Sequence, residues 1–377
     1  MTKPYKLIIL THMENPGKYC SRRKFLSNIA LSGLGLLLPL DRFFKLPEQT
    51  WPLNQKLGRL TIWKLDVRAR PAETAKSVKV IYEDTVVPII REVVGETPSG
   101  LLNRRWVETP DGYIYSPRLQ QVFYRPNPPL SSLPTTLEGK KGMWAEVTVP
   151  YVDFILANPP ARSPLLKETQ RPRLYYSQVY WIDEIRTNPD GKILYRVNER
   201  YGSYGDIYWA PAEAFRPISE EEVSPINPDV EGKKVVVNLS RQTLTCFEGK
   251  SEVYFCQVAT GAKWDADGNK VDTWSTPPGV HTISRKYLSL RMSGRTTGDW
   301  PAVAWTSIFA TGGVAIHSTY WHNDYGLPRS HGCVNAKPED ARWIYRWTYP
   351  HPPLDPGMID VSSKWPPVGT VVEVVEA

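Results

Sequence analysis

The stretch "AIHSTYWHNDYGLPRSHGCVN", Ala315 to Asn335, carries three of the chain's six histidines and one of its four cysteines. Three readings compete for it: a metal site, a thiol nucleophile with its base, or polar residues on a loop. A structural zinc wants four thiolate or imidazole ligands, usually offered as closely spaced pairs. His317, His322, His331 and Cys333 supply the atoms, but C-x-x-C and H-x-x-x-H pairs are missing, and His331 and Cys333 straddle Gly332 on an extended loop. No metal and no cofactor is therefore expected. The second reading fits the local detail better. A thiol of ordinary pKa, about 8.5, is mostly protonated at neutral pH and needs a base or a nearby imidazolium to attack a carbonyl. "GGVAIHS" ends an apolar run in His317, which fixes the ring on a strand, and the following loop is long enough to return Cys333 to it. Gly332 allows close backbone approach. The N–H groups of Gly332 and Cys333 are candidate oxyanion donors, each worth about 3 kcal/mol of transition-state stabilisation.

Outward from this stretch the pattern is mainly β. "AVAWTSIFATGGVAIHS" reads as two apolar strands broken at Gly312–Gly313, and "KKVVVNLSRQTLTCFEGKSEVYFC" as a hairpin. "KPEDARWIYRW", Lys337 to Trp347, is the one helical segment, with Pro338 in its first turn and Glu339 and Asp340 near its N-terminus. Residues 233–377 thus form a β-rich domain with one short helix. "SEEEVSPINPDVEG", Ser219 to Gly232, reads as a linker. Residues 57–125 and 140–218 read as two modules of short strands. Their endings, "DGYIYSPRLQQV" and "GDIYWAPAEAFRPI", follow one order of residue types, which suggests a repeated unit.

The net charge of +7 resides almost wholly in residues 1–45, where eight Lys and Arg stand against two acids. That placement removes the support for a nucleic-acid partner. Arg22 and Arg23 precede "KFLSNIALSGLGLLLPL", whose apolar run falls short of the roughly 18 residues of a membrane span. The segment resembles a twin-arginine export signal, with Met13 as an alternative start. No small-x-small cleavage site follows, so membrane contact is expected only through this leader if it is retained. Outside the cytoplasm a cysteine usually pairs. Cys246 and Cys256 pair only if the hairpin sets them opposite, which a tight turn at Gly249–Lys250 does not do. Cys333 has no partner.

With these residues on the page, "H-S-T-Y-W … S-H-G-C-V-N" resembles the signature of the L,D-transpeptidase (YkuD-type) catalytic domain. The upstream "ATGAKWDADGNKVDTWSTPPGVHTI" is similar to that family's Thr-Gly and Thr-Pro-x-Gly elements. The resemblance covers 233–377, with a slightly short His-to-Cys spacing and a long insert from Lys263 to Thr273. Residues 57–125 and 140–218 resemble the bacterial SH3-like β-barrels that accompany cell-wall enzymes.

The resemblance implies Cys333 as nucleophile and His317 as base and later acid. It implies orientation of His317 by the Ser318 carbonyl, with the Asp324 carboxylate a weaker alternative. His331, Gly332 and Asn335 would shape the loop and oxyanion site, and Ser330 fills the Ser/Thr position; Asn335 read alone could also cap the following helix. Tyr320 and Trp321 are either a substrate-facing wall or packing, and His322 is expected as a solvated loop residue. "KYLSLRMSGRTTGDW", Lys286 to Trp300, is read as a lid whose Arg291 or Arg295 meets stem carboxylates. The implied activity is an exported, wall-associated transferase that crosslinks peptidoglycan stem peptides through a Cys333 thioester. An L,D-carboxypeptidase using water as acceptor and a non-catalytic wall-binding protein are the alternatives.

Overall fold

Period-two alternation sets the strands of the C-terminal domain. In Lys233–Asn238, Val235 and Val237 are fully buried while their neighbours are not. The computed structural model describes residues 51–376 except 100, 137–138, 170, 265–268 and 295–297. The expected leader, with Arg22, Arg23 and Cys20, and the proposed lid residue Arg295 lie outside the described residues.

Two five-stranded sheets enclose the core of the C-terminal domain. One runs in the order Ser251–Gln257, Thr243–Glu248, Lys233–Asn238, Val371–Val375 and Gly279–Thr282. The other runs Val334–Ala336, Ala315–Ser318, Gly298–Ile308, Arg285–Gly294 and Met358–Asp360. Each holds one parallel pair, Lys233–Asn238 with Val371–Val375 and Ala315–Ser318 with Val334–Ala336. In the hairpin Cys246 faces Tyr254 and Cys256 faces Leu244, so the two cysteines stay apart as free, buried thiols.

The helix Pro338–Trp347 turns Ala341, Ile344, Tyr345 and Trp347 inward. Its N-cap is Lys337, not Asn335, whose side chain is used elsewhere. At the other end the fully buried Lys286 donates to the carbonyls of Tyr345 (2.7 Å) and Thr348, and Lys233 donates to that of Trp347 (3.0 Å). Two lysine side chains thus satisfy the carbonyl end of the helix.

The stretches 57–125 and 140–218 each carry their own sheets. In the first, Leu57–Leu60, Val86–Pro88 and Leu119–Val122 make a three-stranded sheet. It shares a core of Leu60, Val67, Ile81, Val107 and Ile114 with a five-stranded sheet. The alike endings fold alike: Gly112–Tyr115, a 3₁₀ turn and Leu119–Val122 in one module, Ile207–Pro211, a 3₁₀ turn and Phe215–Pro217 in the other.

The second module uses both faces of its six-stranded sheet. Ala145, Val147, Tyr180 and Ile182 fill its own core, while Trp144, Val179 and Trp181, pointing the other way, join the core of the C-terminal domain. The two therefore share an interior. The expected linker is accordingly packed: Glu220–Val223 is a helical turn, Val223 is buried in that shared core, and Glu222 pairs with Arg216 (2.6 Å) and Arg342 (2.6 Å).

Of the expected lid, the described residues Lys286–Gly294 and Gly298–Trp300 lie in the paired strands Arg285–Gly294 and Gly298–Ile308, which pack against the second module. Arg291 is buried between Glu199 (2.5 Å) and Asp299 (2.6 Å) and meets no open cleft. Among the described residues no helix is long and apolar enough to cross a membrane.

Candidate active site

The site is made by one crossover. Ala315–Ser318 is buried at every position, antiparallel to Gly298–Ile308 on one side and parallel to Val334–Ala336 on the other. A parallel neighbour requires a long connection, and residues 319–333 supply it. His317 faces Asn335 across this pair. Cys333 immediately precedes Val334 and sits beside Ala315, whose backbone hydrogen-bonds to its sulfur; Gly313 O lies 4.0 Å from Sγ.

His317 is 2% exposed, and its Nδ1 lies 2.8 Å from Ser318 O. A carbonyl only accepts, so Nδ1 carries the proton and Nε2 keeps its lone pair. Burial pulls the imidazole down to about 4, opposed by the Ser318 bond. Desolvation pushes the half-buried Cys333 thiol up to about 11, opposed by the Ala315 bond. The resting pair is thus a neutral imidazole and a neutral thiol, the arrangement in which His317 acts as a base. Asp324 is not the orienting group: its carboxylate pairs with Arg329 (3.2 Å) and accepts from Asn103 (3.3 Å).

The turn before the cysteine is fixed by its own polar atoms. Gly332 has φ of +124°, a backbone conformation in which a side chain is strained. Thr276 Oγ1 donates to Gly332 O (2.8 Å), while Ser330 Oγ accepts from Gly332 N–H (3.1 Å) and donates to Cys333 O (2.5 Å). Ser330 is therefore a turn-holding residue. The Gly332 N–H, expected as an oxyanion donor, is already engaged. Residues 259–262 brace the turn: Asn335 N donates to Ala259 O (2.9 Å), Ser330 N to Thr260 O (3.0 Å) and Ala262 N to Ser330 O (2.8 Å). A Cβ on Gly261 would meet Trp274 O at 2.0 Å, so only glycine permits this approach. The upstream Thr-Gly and Thr-Pro elements thus converge on the cysteine turn. His331 is half-buried and edge-on to Trp274 (4.2 Å), and burial lowers its pKa.

Of the remaining residues, His322 is placed differently from expectation, and Tyr320 and Trp321 resolve the choice left open for them. His322 is 4% exposed, not solvated. Its Nδ1 accepts from Asp324 N–H (3.1 Å), and its Nε2 lies 2.9 Å from the Asn335 carboxamide. Burial, with Arg329, His317 and Arg118 nearby, keeps its pKa well below the usual value. The neutral ring therefore carries its proton on Nε2 and requires an acceptor there. Asn335 accordingly presents Oδ1 to His322, the amide orientation that gives this N–H an acceptor. Tyr320 is packing, not a substrate wall: it is 5% exposed, donates to Pro301 O (3.0 Å) and stacks on Tyr175. Trp321 remains beside the site, stacked on Trp300 (4.3 Å) with its ring 5.8 Å from that of His317. His322 went unassigned because the counterpart that defines it, Asn335, is brought alongside only by sheet pairing. Among the described residues no cluster of three or more His, Cys, Asp or Glu could hold a metal ion.

Residues 232–374 match the family model described as the YkuD L,D-transpeptidase catalytic domain. No curated protein matches the chain. Among solved structures, an L,D-transpeptidase from Xylanimonas cellulosilytica is 23% identical over 40% of this chain and 64% of its own, with a TM-score of 0.27. An Enterococcus faecium L,D-transpeptidase is 20% identical over 39% and 51%, with a TM-score of 0.30. One from Mycobacterium tuberculosis H37Rv is 17% identical over 53% and 90%, with a TM-score of 0.29. The chain thus spans less than two thirds of the length of the first two.

Proposed function

We propose, from the premise that residues 232–374 are a YkuD L,D-transpeptidase catalytic domain, that this chain crosslinks peptidoglycan stem peptides through a thioester on Cys333. The observation that carries the reading is the parallel pairing of Ala315–Ser318 with Val334–Ala336, which brings a buried imidazole and a thiol from opposite ends of one crossover to adjacent strands.

The chemistry follows from the resting protonation states. Neutral His317 takes the Cys333 proton on Nε2 as sulfur attacks the amide carbonyl before a terminal D-residue. The imidazolium that forms is supported by Nδ1–H donating to Ser318 O. With Gly332 N–H engaged by Ser330, the Cys333 N–H is the remaining candidate donor for the oxyanion. Collapse breaks the C–N bond, His317 returns its proton to the leaving amine, and the acyl group stays on sulfur. A side-chain amine of a second stem then attacks the thioester, loses its proton to His317, and releases the crosslinked product and the thiol. Trp321, stacked on Trp300, walls the base side of the pair. We place this activity outside the cytoplasmic membrane, the 1–45 segment acting as leader and the β modules contacting the wall.

Incubation with a carbapenem or a tetrapeptide stem is expected to give an adduct on the full chain by intact-protein mass spectrometry, and Cys333→Ala is expected to abolish it. An adduct surviving in that variant sinks the assignment. Product analysis with and without an amine acceptor separates crosslinking from hydrolysis; release of tripeptide alone, with amine present, would make the chain a carboxypeptidase.

A further inference from the structure

We infer that the first β module is a working part of the site, with Arg59 and Arg105 as positioning residues for the catalytic pair; the inference rests on the reading of Cys333 and His317 just given. The connection that separates base from nucleophile has no regular structure between Ser318 and Val334, so its backbone groups need partners from elsewhere. Residues 258–262 serve its second half, and the first module serves the segment Tyr320 to Tyr325. Arg59 Nη2 donates to Tyr320 O (2.8 Å), and Arg105 Nη2 donates to Asn323 O (2.8 Å) and Tyr325 O (3.4 Å). Asn323 N donates to Pro117 O (3.2 Å), and Asn103 Nδ2 donates to Asp324 Oδ1 (3.3 Å).

Arg59 is itself held on every side. It is 3% exposed, bonded to Asp84 (2.7 Å) and doubly to Gln120 (2.8 and 3.0 Å), and it lies over the Tyr175 ring at 4.0 Å. Asp84 also takes Arg173 (2.7 Å), which binds Asp153 (2.8 Å), so the same buried network reaches into the second module. A guanidinium fixed in this way presents its remaining N–H in one direction.

Two physical routes lead from these contacts to the reacting atoms. Tyr320 precedes Trp321, whose ring lies against His317, so the Arg59 bond sets that wall. Asn323 and Tyr325 flank Asp324, whose N–H fixes His322, which in turn holds Asn335 opposite His317. Arg105 therefore acts on the partner strand of the base through two hydrogen bonds.

The test uses full-chain variants and two readouts. Arg105→Ala is expected to lower kcat for a tetrapeptide stem by about 10–100-fold with KM nearly unchanged, the scale of a misplacement of about 1 Å. Its melting temperature should stay close to wild type, and Arg105→Lys should restore part of the rate. The second readout is alkylation of Cys333 by iodoacetamide across pH, which needs no wall substrate and so separates a failure of positioning from a failure of the proposed reaction. Arg105→Ala should turn a flat profile into one that climbs steadily with pH across the neutral range, as the rate of an uncoupled thiol does. Since Arg59→Ala breaks a buried pair and threatens the fold, Arg59→Lys is the second variant; it keeps a charge for Asp84, loses the reach to Tyr320 O, and should show the same two changes. Wild-type kcat and profile in both variants, or a loss of rate accompanied by lowered melting and an unchanged alkylation profile, overturns the inference.

Discussion

Replacing His317 by glutamine is expected to slow acylation of Cys333 by a carbapenem at pH 7 by about 10²–10⁴-fold, the usual worth of a positioned base. The pH profile makes the result diagnostic. Burial lowers His317 to about 4 and raises Cys333 to about 11. Between these values the dominant form has one removable proton, on sulfur, and an imidazole ready to take it, so the wild-type rate should be flat across neutral pH. It should fall as pH drops through about 4, where the imidazole is protonated and the base is lost. The sign follows from a depressed folded pKa: the working, neutral form of His317 is present above it. In His317→Gln the thiol titrates alone. Its rate should then climb about tenfold per pH unit toward the thiol's raised pKa, because only the thiolate reacts. A wild-type profile rising once near pH 8.5 would mean an ordinary thiol uncoupled from His317. Cys246 and Cys256 do not confuse the measurement, since both are buried and burial pushes their thiols up.

The sequence was most legible where the signal is local. Pro338, Glu339 and Asp340 mark a helix start by their own chemistry, and the helix runs Pro338–Trp347. The turn at Gly249 sets the register that keeps Cys246 and Cys256 apart. Spacing and residue type alone drew attention to His317 and Cys333, because a strand-borne imidazole and a glycine-turn thiol are unusual neighbours. What could not be read depends on partners far along the chain. Arg291 looks like a free cation until Glu199, 92 residues upstream, is packed against it. Tyr320 looks like a cleft residue until Arg59, 261 residues upstream, meets its carbonyl. His322 looks like a solvated loop residue until Asn335, 13 residues on, meets its ring. Ser219 to Gly232 reads as a linker because the second module and the C-terminal domain each show their own alternation. A strand that buries both faces, as Met143–Val147 does with Trp144 on one side and Ala145 on the other, hides which side meets a second domain.

Arg291→Ala is expected to be the most damaging substitution for stability, at about 3–5 kcal/mol, because it leaves buried carboxylates without their cation. All three guanidinium nitrogens are engaged: Nη1 to Glu199 Oε2 (2.5 Å), Nε to Asp299 Oδ1 (2.8 Å), and Nη2 to Asp299 Oδ2 (2.6 Å) and Ser163 Oγ (2.6 Å). Glu199 also accepts from Ala302 N (2.8 Å), so the cluster ties the second module to the long hairpin. Desolvation already raises the Glu199 carboxyl, with Arg291 pulling the other way. Without Arg291 its folded pKa must rise further above the unfolded value of about 4.3. A carboxyl with a raised folded pKa holds its proton in the fold while the unfolded chain releases it, so stability drains away as pH climbs from the unfolded value through the folded one. The deficit of Arg291→Ala should therefore be larger at pH 7 than near pH 4, and Glu199→Gln added to it should recover part of the loss at pH 7 and little near pH 4. Urea midpoints at the two pH values measure both effects. A deficit independent of pH would mean that lost packing, not stranded charge, is what the arginine prevents.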